Sequence, residues 1–338
     1  MLARLYFAAF ICICLSSGPN LAFADSEKIS TFTNPVVEKG ADPWVIRFQT
    51  NYYLCQSFSN EVWINRAARL EDIGKDHWVR VWKPERGTAH SEQVWAPELH
   101  LFQGKWYIYV AADDGNNANH REFVLERDSN DPQGAFVFKG KIAASTDRWA
   151  IDGTVLEMPD KKLYFIWSGW EGTTDVAQNL YIAPMSNPWT ISGERVCIAR
   201  PEFDWEQREH PLVNEGPETL WHDGTLFIIY SASGSWADHY CLGQLKWNGG
   251  DVLNPSSWAK KSEPVFSNTK TVIGPGHCSF VKSPDGKEDW IVYHAHVQPG
   301  SGWTRDVLIQ PFNWNADGSP NFGKPVSRGV PLPVPSGE

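Results

Sequence analysis

The chain has 338 residues and a formal net charge of −10. That balance argues against nucleic acid or an anionic membrane surface as a partner, since both need a basic patch. Hydrophobic residues at 42% and charged residues at 21% describe an ordinary globular protein rather than a disordered one. Tryptophan is the outlier. Eighteen are present, and their indole faces either fill cores or stack on flat apolar faces of ligands.

In chain order, the first segment reads as a leader. Arg4 gives a positive start, Leu5 to Leu15 are almost wholly apolar, and Ala22-Phe23-Ala24 fits a small-x-small cleavage site. The apolar run falls short of the roughly 18 residues a membrane span needs; a retained anchor is the alternative. Residues 1–24 are therefore expected to be a signal peptide, and residues 25–338 a single secreted domain. No Gly/Ser-rich or charged run divides that domain, and no stretch keeps a helical period.

Instead one unit recurs: a small or polar residue, a short strand, a turn, and an aromatic-rich strand. Copies begin at Ala41 (ADPWVIRF), Ala96 (APELHLF), Ile151 (IDGTVLE), Asn214 (NEGPETLW) and Gly274 (GPGHCSFV). Such regular self-similarity marks a propeller or solenoid. Gln103-Gly104, Asp223-Gly224 and Asp285-Gly286 sit where hairpin turns need positive φ. Two hairpin strands with room for two more per repeat predict an all-β fold, a five-bladed β-propeller. The alternative is a β-sandwich with accidental similarity. The proline-rich tail from Gly329 to Glu338 should seal the ring or lie along it.

In a propeller the first strand of each blade lines the axis, so equivalent strand starts meet at one mouth. The occupants are Asp42, the Pro97-Glu98 pair, Asp152, Glu215 and His277. A ring of carboxylates suits cleavage of a glycosidic bond, in which one carboxyl protonates the leaving oxygen and a second activates water or attacks. The acidic balance disfavours a polyanionic substrate such as pectin and suits a neutral polysaccharide.

Four motifs carry a specific resemblance: Ala41-Asp42-Pro43-Trp44, Val94-Trp95-Ala96-Pro97-Glu98, Ile151-Asp152-Gly153-Thr154 and Asn214-Glu215-Gly216-Pro217-Glu218. Together, from about Thr31 to the C-terminus, they resemble glycoside hydrolase family 43. The resemblance implies five-bladed propellers that act with inversion on arabinan, arabinoxylan and xylan. It implies Asp42 as general base, Glu215 as general acid, and Asp152 as the residue that raises the acid's pKa and orients it. Glu218 is the rival acid. His277 aligns with an axial histidine that binds water or joins a calcium site, so a calcium ion on the axis is an option, although no dedicated loop of oxygen ligands is visible. No cofactor is otherwise required. Arg305 resembles an arginine that reaches the substrate.

Trp95, Trp167 and Trp170 are candidates for stacking on sugar, with Trp170 expected in a loop at the mouth and Trp167 equally suited to the core. The strings Ile166–Gly172, Gln178–Met185 and Tyr230–Trp236 look most like exo-acting α-L-arabinofuranosidases. Endo-arabinanase and β-xylosidase share the same carboxylates, and a non-catalytic carbohydrate-binding propeller is the remote alternative. A fructan-active retaining propeller would need strings that are absent. Cys55, Cys197, Cys241 and Cys278 are far apart with no C-x-x-C pair, which disfavours zinc; free thiols and one or two disulfides both remain open.

Overall fold

The computed structural model describes residues 30–338; the expected leader, residues 1–24, lies outside them. The chain is all-β, with only four single turns of 3-10 helix among the described residues. Five antiparallel units follow one another. The first comprises Trp44–Phe48, Asn51–Phe58, Glu61–Ala67 and Trp78–Trp82, the second Glu92–Phe102, Lys105–Asp113, Arg121–Arg127 and Val137–Ile142. The third runs Ala150–Glu157, Leu163–Trp170 and Ala177–Asn187, with Thr190–Ile191 and Val196–Ala199 both on the outer strand. The fourth is Leu212–His222, Thr225–Ala232, Cys241–Trp247 and Trp258–Lys260, and the fifth Ile273–Lys282, Asp289–His296, Arg305–Trp314 and Pro320–Asn321. A two-residue parallel pairing of Ala177 and Gln178 with Leu212 and Val213 joins the third unit to the fourth.

Local chemistry accounts for the hairpins. Gln103-Gly104 and Asp223-Gly224 both take positive φ at their two positions (52° and 79°; 45° and 76°), the geometry whose twist matches the flanking strands. The third expected turn differs. Only Gly286 is left-handed (74°), within a longer loop in which Asp285 accepts the Ser283 hydroxyl and the Lys287 amide.

First strands of consecutive units lie beside one another from the first to the fifth, and Ile273–Lys282 packs back against Trp44–Phe48. Five apolar clusters fill the spaces between neighbours. Ile64 meets Trp106 between units one and two, Tyr109 meets Phe165 between two and three, and Ile166 meets Ile228 between three and four. Ile229 meets Tyr293 between four and five, and Leu54 meets Val292 between five and one. Each wholly buried side chain of this size contributes about 1.5–3 kcal/mol, so the inter-sheet seams, not any single sheet, hold the molecule together.

The chain ends add a staple. Thr31–Thr33 pairs antiparallel with Pro331–Pro333, and the buried Asn34 amide donates to Ile309 O and accepts Ile309 N–H at 2.8 and 2.9 Å. The proline-rich tail thus lies along the N-terminal strand. Cys55, Cys241 and Cys278 are buried, Cys197 half-buried, and all four are free thiols, each in a different unit.

Candidate active site

Near the start of each first strand the backbone turns left-handed: at Asp42 (48°), Gln93 and Ala96 (47° and 42°), Asp152 (56°), Gly216 (52°), and Gly274 and His277 (57° and 44°). The pairing register slips at this point in units two to five. A bulge of this kind re-aims the neighbouring side chain, and each non-glycine in that region costs of order 1–3 kcal/mol. The same device repeated around the fold turns Asp42, Asp152, Glu215 and His277 into one cavity of about 600 Å³, which Trp95 and Arg305 also line.

The three carboxyls sit in different surroundings. Burial alone would raise the Asp42 pKa, but the Arg305 guanidinium, then His277 and His294, outweigh it and hold the carboxyl well below its usual range. Arg305 Nη1 lies 3.1 Å from Asp42 Oδ1, His294 Nδ1 3.2 Å and His277 Nδ1 3.4 Å. The Asp42 amide donates to His294 Nδ1 at 3.1 Å. Burial also lowers the His294 pKa to about 3, so at neutral pH its ring is an uncharged orienting group.

Glu215 goes the other way. Burial pushes it up to about 7; Tyr240 draws it back, the Asp42 charge raises it, and Arg305 and Ser235 lower it. Asp152 is raised well above its usual range, first by burial, then by the charges of Glu215, Asp42 and Glu122. Its Oδ2 accepts the Gly216 amide at 3.0 Å, which ties it to the backbone immediately after Glu215. Gly216 takes a φ of +52°, where a Cβ would meet the His277 ring at 3.3 Å, so glycine lets the backbone sit close beneath that ring.

Glu122, unseen in the sequence reading, supports Asp152 from behind. Its Oε1 accepts the Gly153 amide at 3.0 Å, and a Cβ on Gly153 would run into Phe165 and Glu122. Burial, then the Glu98 charge, pushes Glu122 up to about 8. Glu122 and Glu215 thus hold protons in the fold that they lose near pH 4.3 when unfolded. Their contribution to stability is complete below that value and is lost as pH rises through about 7 to 8, by at most ~1.4 kcal/mol per pH unit each. Melting temperature is expected to fall between pH 5 and 8. Glu122→Gln, which keeps an acceptor for Gly153, should flatten the slope; an unchanged slope would refute the assignment of that proton.

Several expected positions need correction. Glu98 does not line the cavity. The two bulges of its strand put Ala96 in the left-handed position, and Glu98 is buried beneath, its carboxylate 2.9 Å from His100 Nε2. Glu218 lies in the strand interior against Glu98 and is not on the cavity wall. Trp167 packs in the core between Phe165 and Tyr181. Trp170 ends a strand instead of lying in a loop; it is buried and stacked on Trp149 at 4.9 Å and 9°. Trp149 is the indole that reaches the cavity in its place, beside the half-buried Trp95, which rests on His120 at 4.1 Å. His120 is itself fixed by Asp113, 3.0 Å away and fully buried.

A calcium ion does not fit this donor set. Calcium takes six to eight oxygen ligands. Near His277 the side chains include nitrogen donors and an arginine, and among the described residues no His, Cys, Asp and Glu side chains gather in a metal-binding group of three or more. Nor is any helix among the described residues long and apolar enough to cross a membrane.

Carboxyls of opposite proton affinity in a tryptophan-walled cavity define a glycosidase-type site. The profile of glycosyl hydrolases family 43 matches residues 32–320, and the chain belongs to that family. An extracellular exo-α-(1→5)-L-arabinofuranosidase of Streptomyces avermitilis is 36% identical over 97% of this chain and 71% of its own length. Alpha-L-arabinofuranosidase 43 of Humicola insolens is 33% identical over 97% of this chain and 68% of its own. Among solved structures, an α-L-arabinofuranosidase from Lactobacillus brevis superposes with a TM-score of 0.83 at 36% identity, covering 88% of this chain and 98% of that one.

Proposed function

We propose that the five sheets close as a five-bladed β-propeller and that the protein is a secreted, inverting exo-α-L-arabinofuranosidase acting on neutral plant arabinan or arabino-oligosaccharides. The observation that carries this reading is the divergence of Asp42 and Glu215. One carboxyl is held ionised and the other protonated up to about pH 7, in a single cavity. Such a pair can perform the two proton transfers of glycoside hydrolysis at one pH.

In the proposed reaction Glu215 donates its proton to the glycosidic oxygen as the C–O bond breaks. That oxygen leaves with the bonding electron pair as a neutral hydroxyl. Asp42 takes a proton from a water that attacks the anomeric carbon from the opposite face, so the new C–O bond has inverted configuration. Arg305 keeps Asp42 ionised, and His294 holds its backbone amide. Asp152, bound to the Gly216 amide, fixes the backbone that carries Glu215. Trp95 and Trp149 flank the sugar. The protein side chains supply acid, base and orientation, and no cofactor is required. Secretion and action outside the cell are supported by the extracellular relatives and by the leader-like residues 1–24.

Product analysis on linear 1,5-arabinan and on xylan, with EDTA-treated enzyme, tests the assignment. Arabinose alone from arabinan is expected. A ladder of oligomers would point to endo-action, xylose from xylan to a β-xylosidase, and loss with EDTA to a metal requirement. Proton NMR of the first-formed sugar is expected to show the β-anomer; initial release of the α-anomer would overturn inversion.

A further inference from the structure

Four residues that line the cavity, Gln93, Trp95, Asn117 and Trp149, share one neighbour that does not reach it. His120 is fully buried and touches all four. Trp95 stacks on its ring at 4.1 Å and 27°, and Trp149 meets the ring edge-on at 6.1 Å and 65°. Its Nε2 donates to the Gln93 carbonyl at 3.0 Å, and its Nδ1 lies 3.2 Å from Asn117 Oδ1. Its own carbonyl accepts the amide of Ala150, the residue after Trp149, at 3.3 Å.

The backbone around these residues needs such support. Gln93 is left-handed (φ +47°), a costly state that persists only where the surroundings hold it. Trp95 lies between two register slips of its strand, so regular pairing does not set its direction. Trp149 stands just ahead of its strand, and its indole N–H donates to Asn117 O at 2.8 Å. The loop that carries His120 is pinned in turn. Asp113, wholly buried, meets His120 Nδ1 at 3.0 Å and accepts the Gly115 amide at 2.8 Å. Asp114 accepts the Asn116 amide and the Asn119 side chain. An imidazole held at both nitrogens has a fixed ring plane, which is what a platform for another ring requires.

We infer that His120, held by Asp113, is a positioning residue that sets Gln93, Trp95, Asn117 and Trp149 as one wall against the sugar ring. This rests on the proposed arabinofuranosidase reading, in which Trp95 and Trp149 flank the sugar. No hydrogen bond or ion pair among the described residues joins His120 to Asp42 or Glu215; its partners are Gln93, Asn117 and Asp113. It therefore acts on binding of the ring and leaves the two proton transfers alone.

The test separates binding from chemistry. His120→Gln keeps a donor for the Gln93 carbonyl but removes the ring. It is expected to raise KM for arabinobiose by roughly tenfold, the scale of one aromatic contact. The inhibition constant of free arabinose should rise in parallel, while kcat stays within about threefold and the alkaline limb of the pH profile keeps its place. Asp113→Ala leaves the ring but frees it; it should give the same split at smaller size, and it carries the test if His120→Gln does not fold. Asp113→Asn, which keeps an acceptor for Gly115 and a partner for Nδ1, should restore most of the affinity. In a Trp95→Ala background His120→Gln should change KM far less than in the unmodified protein, because part of its action runs through that indole. A fall in kcat at constant KM, a displaced alkaline limb, losses that simply add to those of Trp95→Ala, or an unchanged KM would overturn the inference. Failure of the unmodified protein to hydrolyse arabinobiose would instead count against the arabinofuranosidase reading itself.

Discussion

Asp42→Ala is expected to lose roughly 10⁴-fold in kcat on arabinan and on 2,4-dinitrophenyl α-L-arabinofuranoside alike, the upper end of what one acid–base group supplies. Water must be activated whichever group departs, so a better leaving group cannot compensate. The side chain is also the hub of the site: Arg305, His277 and His294 all converge on its Oδ1. Its removal leaves the buried Arg305 without its carboxylate, and a bare charge in such a place is destabilising. Asp42→Asn therefore serves as the control, because it keeps the volume and the backbone while removing the negative charge. Both variants should be inactive, with the alanine variant the less stable by thermal melting. Azide supplied to Asp42→Ala with the dinitrophenyl substrate should restore turnover and yield the β-glycosyl azide, since azide attacks without needing deprotonation. Substantial residual activity in Asp42→Asn, or an α-azide product, would remove Asp42 from the role of base.

The residues legible in the sequence are those whose position is local. Asp42, Asp152 and Glu215 each stand beside a proline or glycine at a strand start, and that neighbour betrays the turn that aims them. The repeat itself was legible because every unit pairs a strand start of small or polar residues with an aromatic-rich second strand, and two of the hairpins share one turn chemistry. What stayed hidden depends on packing between units. His294 lies on the second strand of its sheet and Glu122 on the third strand of another; nothing in their local strings distinguishes them from core-strand polar residues. Trp149 and Trp170 illustrate the same limit. Both are tryptophans near a strand end; they stack on each other, and only Trp149 lines the cavity. Glu98 was misplaced because side-chain direction in a strand has period two. Two successive register slips around Trp95 move it off the wall, and bulges leave no dependable trace in composition. The cysteines follow the same logic, since only the fold reveals that each belongs to a different sheet.

Glu215→Ala should separate the two substrates that Asp42→Ala treats alike. An arabinose alkoxide is a poor leaving group and needs its proton as the bond breaks, whereas dinitrophenolate departs largely unaided. The expected loss is about 10²- to 10⁴-fold on arabinan and far less on the dinitrophenyl glycoside. The pH profile sharpens the distinction. With Glu215 raised to about 7, the unmodified enzyme should lose activity on arabinan as pH rises through that region and the acid ionises. In Glu215→Ala acting on the activated substrate that alkaline limb should disappear, because no proton donor is then required. Asp152 complicates the limb without removing it: the two carboxyls interact, so the apparent pKa belongs to the pair. Asp152→Asn removes one carboxyl of the pair and should shift the limb while leaving it present. Equal losses for Glu215→Ala on both substrates, in a protein with an unchanged melting temperature, would take the acid role from Glu215. Asp152 would then be its strongest claimant, as the other cavity carboxyl with a raised affinity for a proton, and the Gly216 contact would be read as holding that acid in place.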